Sequence, residues 1–286
     1  ARYKGSALKS SPIKGLAIMK EKYSLEDLRY LMTRLRDPHF GCPWDQKQTY
    51  HSIIPHTLEE VYEVIDAVEN LNFVNLQNEL GDLLFQIIFL CHLAEEDKYF
   101  NLDDVINLVT GKLLRRHPHV FPDGSLVSRG NDKITVSSSD IADSWEEIKK
   151  NERKLKGKTG FLDDIPNALP ANKRAMKLQK RASNIGFDWE SSDDVLNKVY
   201  EELSELEQEI ELENSCNLED ELGDLMFTII NLSRHLQIDP ESALRKANQK
   251  FTMRLNSIEK LAPQNDITKL SQNELGKMWL MIKSQE

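Results

Sequence analysis

Apolar residues recur at three- and four-residue intervals along most of this chain, the spacing of one buried face on an α-helix. Val195, Val199, Leu203, Leu206 and Ile210 follow it, as do Leu222, Leu225, Met226, Ile229 and Leu232. Residues 83–94 (LLFQIIFLCHLA) are apolar almost throughout, but Gln86 and His92 interrupt them. The run falls short of the roughly 18 residues a membrane span needs, and it reads as a buried helix. Strand-like alternation is nearly absent; the one weak candidate, ITVSSS at 134–139, reads as loop. Pro118 and Asp239-Pro240 mark helix stops. The pattern predicts an all-α fold with about four main helices in each half, packed as bundles.

Polar positions show that the two halves are copies. Glu60, Glu63, Glu79 and Asp82 reappear as Glu202, Glu205, Glu221 and Asp224, each 142 residues later. Lys112 and Arg116 (KLLRR) correspond to Lys250 and Arg254 (KFTMR) at an offset of 138, and Trp145 and Lys149 to Trp279 and Lys283 at 134. Trp44 in CPWDQ and Trp189 in GFDWE occupy equivalent entries. Order is preserved while the offset falls, so the first half carries longer connections, including the Ser/Gly-rich stretch at 123–140. This is tandem duplication. The expected layout is a leader at 1–22, a helical domain at 23–155, a basic, Pro-containing linker at 156–168 and a second helical domain at 169–286.

The repeated acids are the candidate chemistry. On a helical wheel of about 100° per residue, Glu202 and Glu205 flank an apolar stripe, and Glu221 and Asp224 flank another. If the stripes share a core, the acid pairs meet at its edge, where their repulsion calls for compensating cations or protons. A hard cation such as Mg²⁺ accepts several oxygen ligands and leaves room for substrate phosphates. Gly81 and Gly223 interrupt the two ExxD pairs, and a mid-helix Gly costs about 1 kcal/mol; close approach of a helix or ligand would account for it. An ExxE pair alone is usually a solvated face. Repetition at one offset argues against that here. Lys250 and Arg254 share a helix face and could grip phosphates, while Trp279 suits either core packing or base stacking. Together these parts suffice to hold a nucleoside triphosphate.

Composition narrows the classes. A formal charge of −10 over 286 residues argues against broad binding of nucleic-acid polymers. Cys42, Cys91 and Cys216 form no CxxC pair, which points to a reducing, cytoplasmic setting rather than to disulfides or zinc. No histidine has an acid three residues before it, so a di-iron Glu-x-x-His bundle fails. His117 and His119 read as capping or surface residues. P-loop, GxGxxG and GxSxG patterns are missing.

Taken together, CPWDQKQT, LEEVYEVIDA, ELGDLLFQ, RRHPHVF, NIGFDWE, KVYEEL, DELGDLMF, KANQKF and the closing WLMIK resemble the MazG nucleoside triphosphate pyrophosphohydrolases over nearly the whole chain. The resemblance implies tandem helical domains in a homodimer, dependence on Mg²⁺ with Mn²⁺ as a substitute, and hydrolysis of NTPs or dNTPs to the monophosphate and pyrophosphate in nucleotide-pool house-cleaning. It places metal binding and catalysis on Glu202, Glu205, Glu221 and Asp224, and substrate contacts on Lys250, Arg254, Trp279 and Lys283. Glu60, Glu63, Glu79 and Asp82 would form a second site. Because Glu209 is replaced by Ala67 in the first half, the second half is ranked as the catalytic one. Glu201 and Glu205 are the candidate general bases. The competing reading is a helical regulatory or scaffold protein that binds nucleotide without turning it over.

Overall fold

The structure is a computed structural model that describes residues 22–128, 144–145, 148, 151–152, 157, 160–212 and 215–285. The leader up to residue 21, the 134–139 loop, Lys149 and Lys156 lie outside the described residues. All described regular structure is helical, as the periodicity predicts. The chain divides into two compact units, Ala1–Trp145 and Glu146–Glu286, so the basic stretch at 156–168 falls within the second. No described helix is long and apolar enough to cross a membrane.

Unit 1 contains α1 (Leu25–Leu35), α2 (Tyr50–Glu69), α3 (Phe73–Glu96) and α4 (Leu102–Arg116). Reciprocal capping boxes start three of them, Ser24 with Asp27, Thr49 with Ser52 and Asn101 with Asp104. Each box satisfies amide hydrogens that a helix start leaves without partners. α2 and α3 form the main helix pair, and α1 and α4 pack on α3. Their shared core is built from Met32, Ile53, Ile88, Phe89, Cys91, Leu93 and Leu102. At its edge Arg36 donates to both carboxylate oxygens of Glu96, at 2.9 and 2.6 Å, and its guanidinium lies 5.4 Å from the Phe89 ring centre.

Unit 2 repeats this plan with α5 (Ala171–Ser183), α6 (Ser192–Glu211), α7 (Ser215–His235) and α8 (Pro240–Leu261), followed by α9 (Gln272–Lys283). α6 pairs with α7, α5 packs on α7, and α9 packs on α8. Ser191 with Asp194 and Ser271 with Glu274 box the starts of α6 and α9. Asp239-Pro240 is a helix start rather than a stop: Asp239 accepts from the Ser242 amide as N-cap, and Pro240 occupies the first turn. Proline suits that position because its missing N–H would have had no partner there.

The apolar stripes behave differently from the sequence expectation. Leu222, Met226 and Ile229 on α7 are exposed, and so are their counterparts Leu80, Leu84 and Ile87 on α3. The same holds for Tyr200, Leu203 and Ile210 on α6 and for Leu58, Val61 and Val68 on α2. Only one side of each helix pair is used within its own unit. Nor is there a close neighbour for the two glycines: a Cβ at Gly81 or Gly223 would meet nothing within 4 Å.

Candidate active site

The α6–α7 pair carries the second acid quartet. One carboxylate oxygen from each of Glu202, Glu205 and Glu221 lies within 4.8 Å of the others. Glu202 is only 6% exposed. Asp224, on the same face of α7 as Glu221, lines a cavity together with Glu202. Desolvation pushes the Glu221 carboxyl above its ordinary pKa, and the charges of Glu205, Glu202, Asp224 and Glu209 push it further the same way. Glu209 adds an oxygen, Oε2, that is shut from solvent without a hydrogen-bond partner. An all-oxygen donor set under mutual repulsion, with a buried oxygen unsatisfied, fits a hard divalent cation.

One basic residue at this site was not singled out from the sequence. Lys198 reaches Glu201 at 2.7 Å and Glu202 at 2.9 Å, and these hydrogen bonds raise its pKa. Its spacing to Glu202 is the ordinary i,i+4 of surface pairs, so only the burial of Glu202 distinguishes it. The unit 1 counterpart is His56, which lies 3.9 Å from Glu59 and meets Trp44 edge to face at 5.9 Å.

In unit 1 the oxygens that converge within 4.8 Å belong to Glu60, Glu79 and Asp82. Desolvation raises the Glu79 carboxyl, aided by a hydrogen bond with Glu63, and desolvation raises Glu60 against an opposing hydrogen bond from Gln86. Glu63 and Glu79 also line a cavity of about 440 Å³ with Tyr62 and Asn75. Each unit therefore assembles three of its four predicted acids in one cluster, but the fourth differs: Asp224 in unit 2 and Glu63 in unit 1.

The substrate-contact candidates sit on α8 and α9. The Arg254 guanidinium stacks 5.1 Å from the Trp279 ring centre, and Phe251 backs that ring at 5.4 Å. Lys250 and Lys283 are exposed. In unit 1 Trp145 is held otherwise, its indole N–H donating to the Arg116 carbonyl at 2.6 Å and its ring edge-on to His117 at 5.2 Å.

Beside the unit 2 acids opens a cavity of about 920 Å³, lined by Lys198, Glu202 and Asp224 and by Phe187, Asp188 and Trp189. Arg234 and His235, at the end of α7, both donate to Asp188 and so tie this loop to the helix. Burial pushes the Asp188 carboxyl up, but the bonds from Arg234 and His235 outweigh it and hold it below the usual carboxylate range.

Residues 48–121 and 190–258 each match the MazG nucleotide pyrophosphohydrolase domain. The chain is 43% identical to the nucleoside triphosphate pyrophosphohydrolase of Escherichia coli K12 over 266 residues, 92% of this chain and 98% of that protein. It is 40% identical to the nucleoside triphosphate pyrophosphohydrolase/pyrophosphatase MazG of Thermotoga maritima over 268 residues, 93% and 98% of the two chains. YabN of Bacillus subtilis is 36% identical over 278 residues, which are 96% of this chain and 54% of that longer protein. Both acid quartets, with Lys250 and Arg254, fall inside the matched stretches.

Proposed function

Since this chain belongs to the MazG family of nucleotide pyrophosphohydrolases, we propose that it hydrolyses nucleoside and deoxynucleoside triphosphates to monophosphate and pyrophosphate at the acid cluster of unit 2, as a cytoplasmic house-cleaning enzyme. The observation that carries this reading is the juxtaposition of Glu202, Glu205 and Glu221, within 4.8 Å of one another, with a cavity of about 920 Å³. That volume is in the range of small-molecule sites, roughly 300–1,000 Å³. The free thiols of Cys42 and Cys91 suit a reducing compartment.

In the reaction a water oxygen bonds to the α-phosphorus, the bridging α–β anhydride bond breaks, and pyrophosphate leaves. A divalent cation such as Mg²⁺, held by Glu202, Glu205, Glu221 and Asp224, supplies Lewis acidity and a more acidic water there. Glu201 or Glu205 takes the water's proton. Lys250 and Arg254 hold phosphate oxygens and neutralise charge on the leaving pyrophosphate, and Lys283 adds a further cation on α9. Trp279 orients Arg254 by stacking. Glu60, Glu63, Glu79 and Asp82 form a second metal-holding group in unit 1.

The active form is a homodimer. Matched exposed apolar stripes on α2, α3, α6 and α7 support it, because large exposed apolar surface rimmed by polar residues marks an interaction face. Gly81 and Gly223, open within the chain, lie on α3 and α7 where a second copy could approach closely.

The test is a panel of NTPs and dNTPs with purified protein, with and without Mg²⁺. ATP should yield AMP and pyrophosphate without ADP, and Glu202→Gln should remove most turnover while the helical fold persists. Stoichiometric ADP and orthophosphate, or wild-type turnover by Glu202→Gln, would overturn the reading.

A further inference from the structure

The two units differ where their first and third helices meet. α3 and α7 keep the 142-residue offset through Phe85 and Phe227, then Ile88 and Ile230, which sets Phe89 against Asn231. α1 and α5 pack on α3 and α7, and each brings one buried long side chain to that contact, Met32 in unit 1 and Gln179 in unit 2. In unit 1 Met32 and Phe89 are both 0% exposed and belong to one apolar core. In unit 2 the contact between the first and third helices holds amides instead, Gln179 and Asn231, and both line the cavity of about 920 Å³. Where unit 1 buries a Met and a Phe, unit 2 has two side chains that donate and accept hydrogen bonds.

Their bonding is incomplete. Gln179 is 7% exposed; its Nε2 donates to the Phe227 carbonyl at 2.8 Å, and its Oε1 is buried with no partner. Leaving such an oxygen unsatisfied is costly, and native structures rarely do so without a role for it. Asn231 Oδ1 is committed to Arg234, accepting from Nε at 3.0 Å and NH2 at 2.8 Å, so its Nδ2 hydrogens are the donors it has left. Around the two amides stand Phe187, Trp189 and Phe227, flat apolar surfaces against which any base can stack. The acids Glu202 and Asp224 line the same cavity.

We propose that this cavity is the nucleoside compartment of unit 2, that Gln179 and Asn231 read the polar edge of the base, and that in unit 1 Met32 and Phe89 fill the corresponding place between the first and third helices. The proposal rests on the hydrolase reading for its orientation, with the triphosphate at the acids and the base toward the Phe187–Trp189 loop. It moves base recognition away from Trp279, whose ring is covered by Arg254.

The unit 1 residues supply the test. Gln179→Met, Asn231→Phe and the double variant are titrated calorimetrically with AMP and with inorganic triphosphate, each in the presence of Mg²⁺, and assayed on the NTP panel. AMP affinity and kcat/KM should fall about 10- to 200-fold, the discrimination a misfitted pocket supplies, while triphosphate affinity stays at the wild-type level. If Asn231→Phe fails to fold by circular dichroism, Gln179→Glu keeps the shape and should still change the ranking of the bases. Unchanged AMP affinity and an unchanged base ranking would overturn the compartment, whatever the turnover. A wild-type protein that binds AMP through these residues but hydrolyses no NTP would overturn the hydrolase reading and leave the compartment standing.

Discussion

At the scale of single residues, Arg254 and Trp279 act as a pair. A guanidinium over an indole face gains about 0.5–2 kcal/mol, and here it holds the fork of Arg254 in one orientation. Charge-assisted contacts to phosphate are worth about 1.5–3 kcal/mol, so Arg254→Ala should lower kcat/KM by about 10- to 100-fold, alike for every base. Trp279→Ala should give a smaller loss, again without changing the purine-to-pyrimidine ratio in competition assays. A purine-selective loss would return Trp279 to base stacking. The sequence displayed Arg254 and Trp279 but not their contact, since they lie on different helices. Lys198 was legible only as one more charge in KVYEE; burial of Glu202, which turns that charge into part of the site, is a tertiary property.

At the scale of elements, the start of α8 shows how a cap and an ion pair combine. Asp239 caps the helix through the Ser242 amide and accepts from Lys173 on α5, while Asn172 on α5 donates to Glu241 one residue into α8's first turn. The bond from Lys173, followed by the amide of Ser242, holds the Asp239 carboxyl below its ordinary value, against a smaller opposing effect of burial. A carboxyl whose folded pKa lies below the unfolded one stabilises the fold above the unfolded value, about 3.9, and that contribution disappears as pH falls through the folded value. Asp239→Asn keeps a capping oxygen and loses the ion pair; Asp239→Ala loses both and should cost about 1 kcal/mol more. Thermal unfolding should show the Asp239→Asn deficit at pH 7 and a smaller one at pH 3. Boxes such as Ser191 with Asp194 are local chemistry between near neighbours, although no helix start was placed by them from the sequence. Asp239-Pro240 was read as a stop because proline punctuates both ends of helices; which end it marks depends on the cap geometry.

At the scale of the whole molecule, periodicity announced apolar faces but not what covers them. Leu222, Met226 and Ile229 have the same spacing as a buried stripe, and Met226 is nonetheless 57% exposed. Helical periodicity is blind to whether the partner surface is in the same chain, so a core and a dimer face look identical in sequence. The proposed homodimer is tested by sedimentation: wild-type protein should sediment as a dimer, and Met226→Glu with Leu84→Glu in unit 1 as a monomer that keeps the helix content of each unit. Duplication, by contrast, was legible at once, because the acids kept their offset while the loops between them drifted. The divergence at Met32 and Gln179 was hidden, since a single polar exchange on a helix gains meaning only when its neighbours leave a void. That void has an optical consequence. Of the four tryptophans, Trp145 is bonded to a carbonyl and Trp279 is covered by Arg254, whereas Trp189 borders the cavity itself. Filling the cavity changes the surroundings of that indole, so the state of the second unit is written into the chain's own ultraviolet emission.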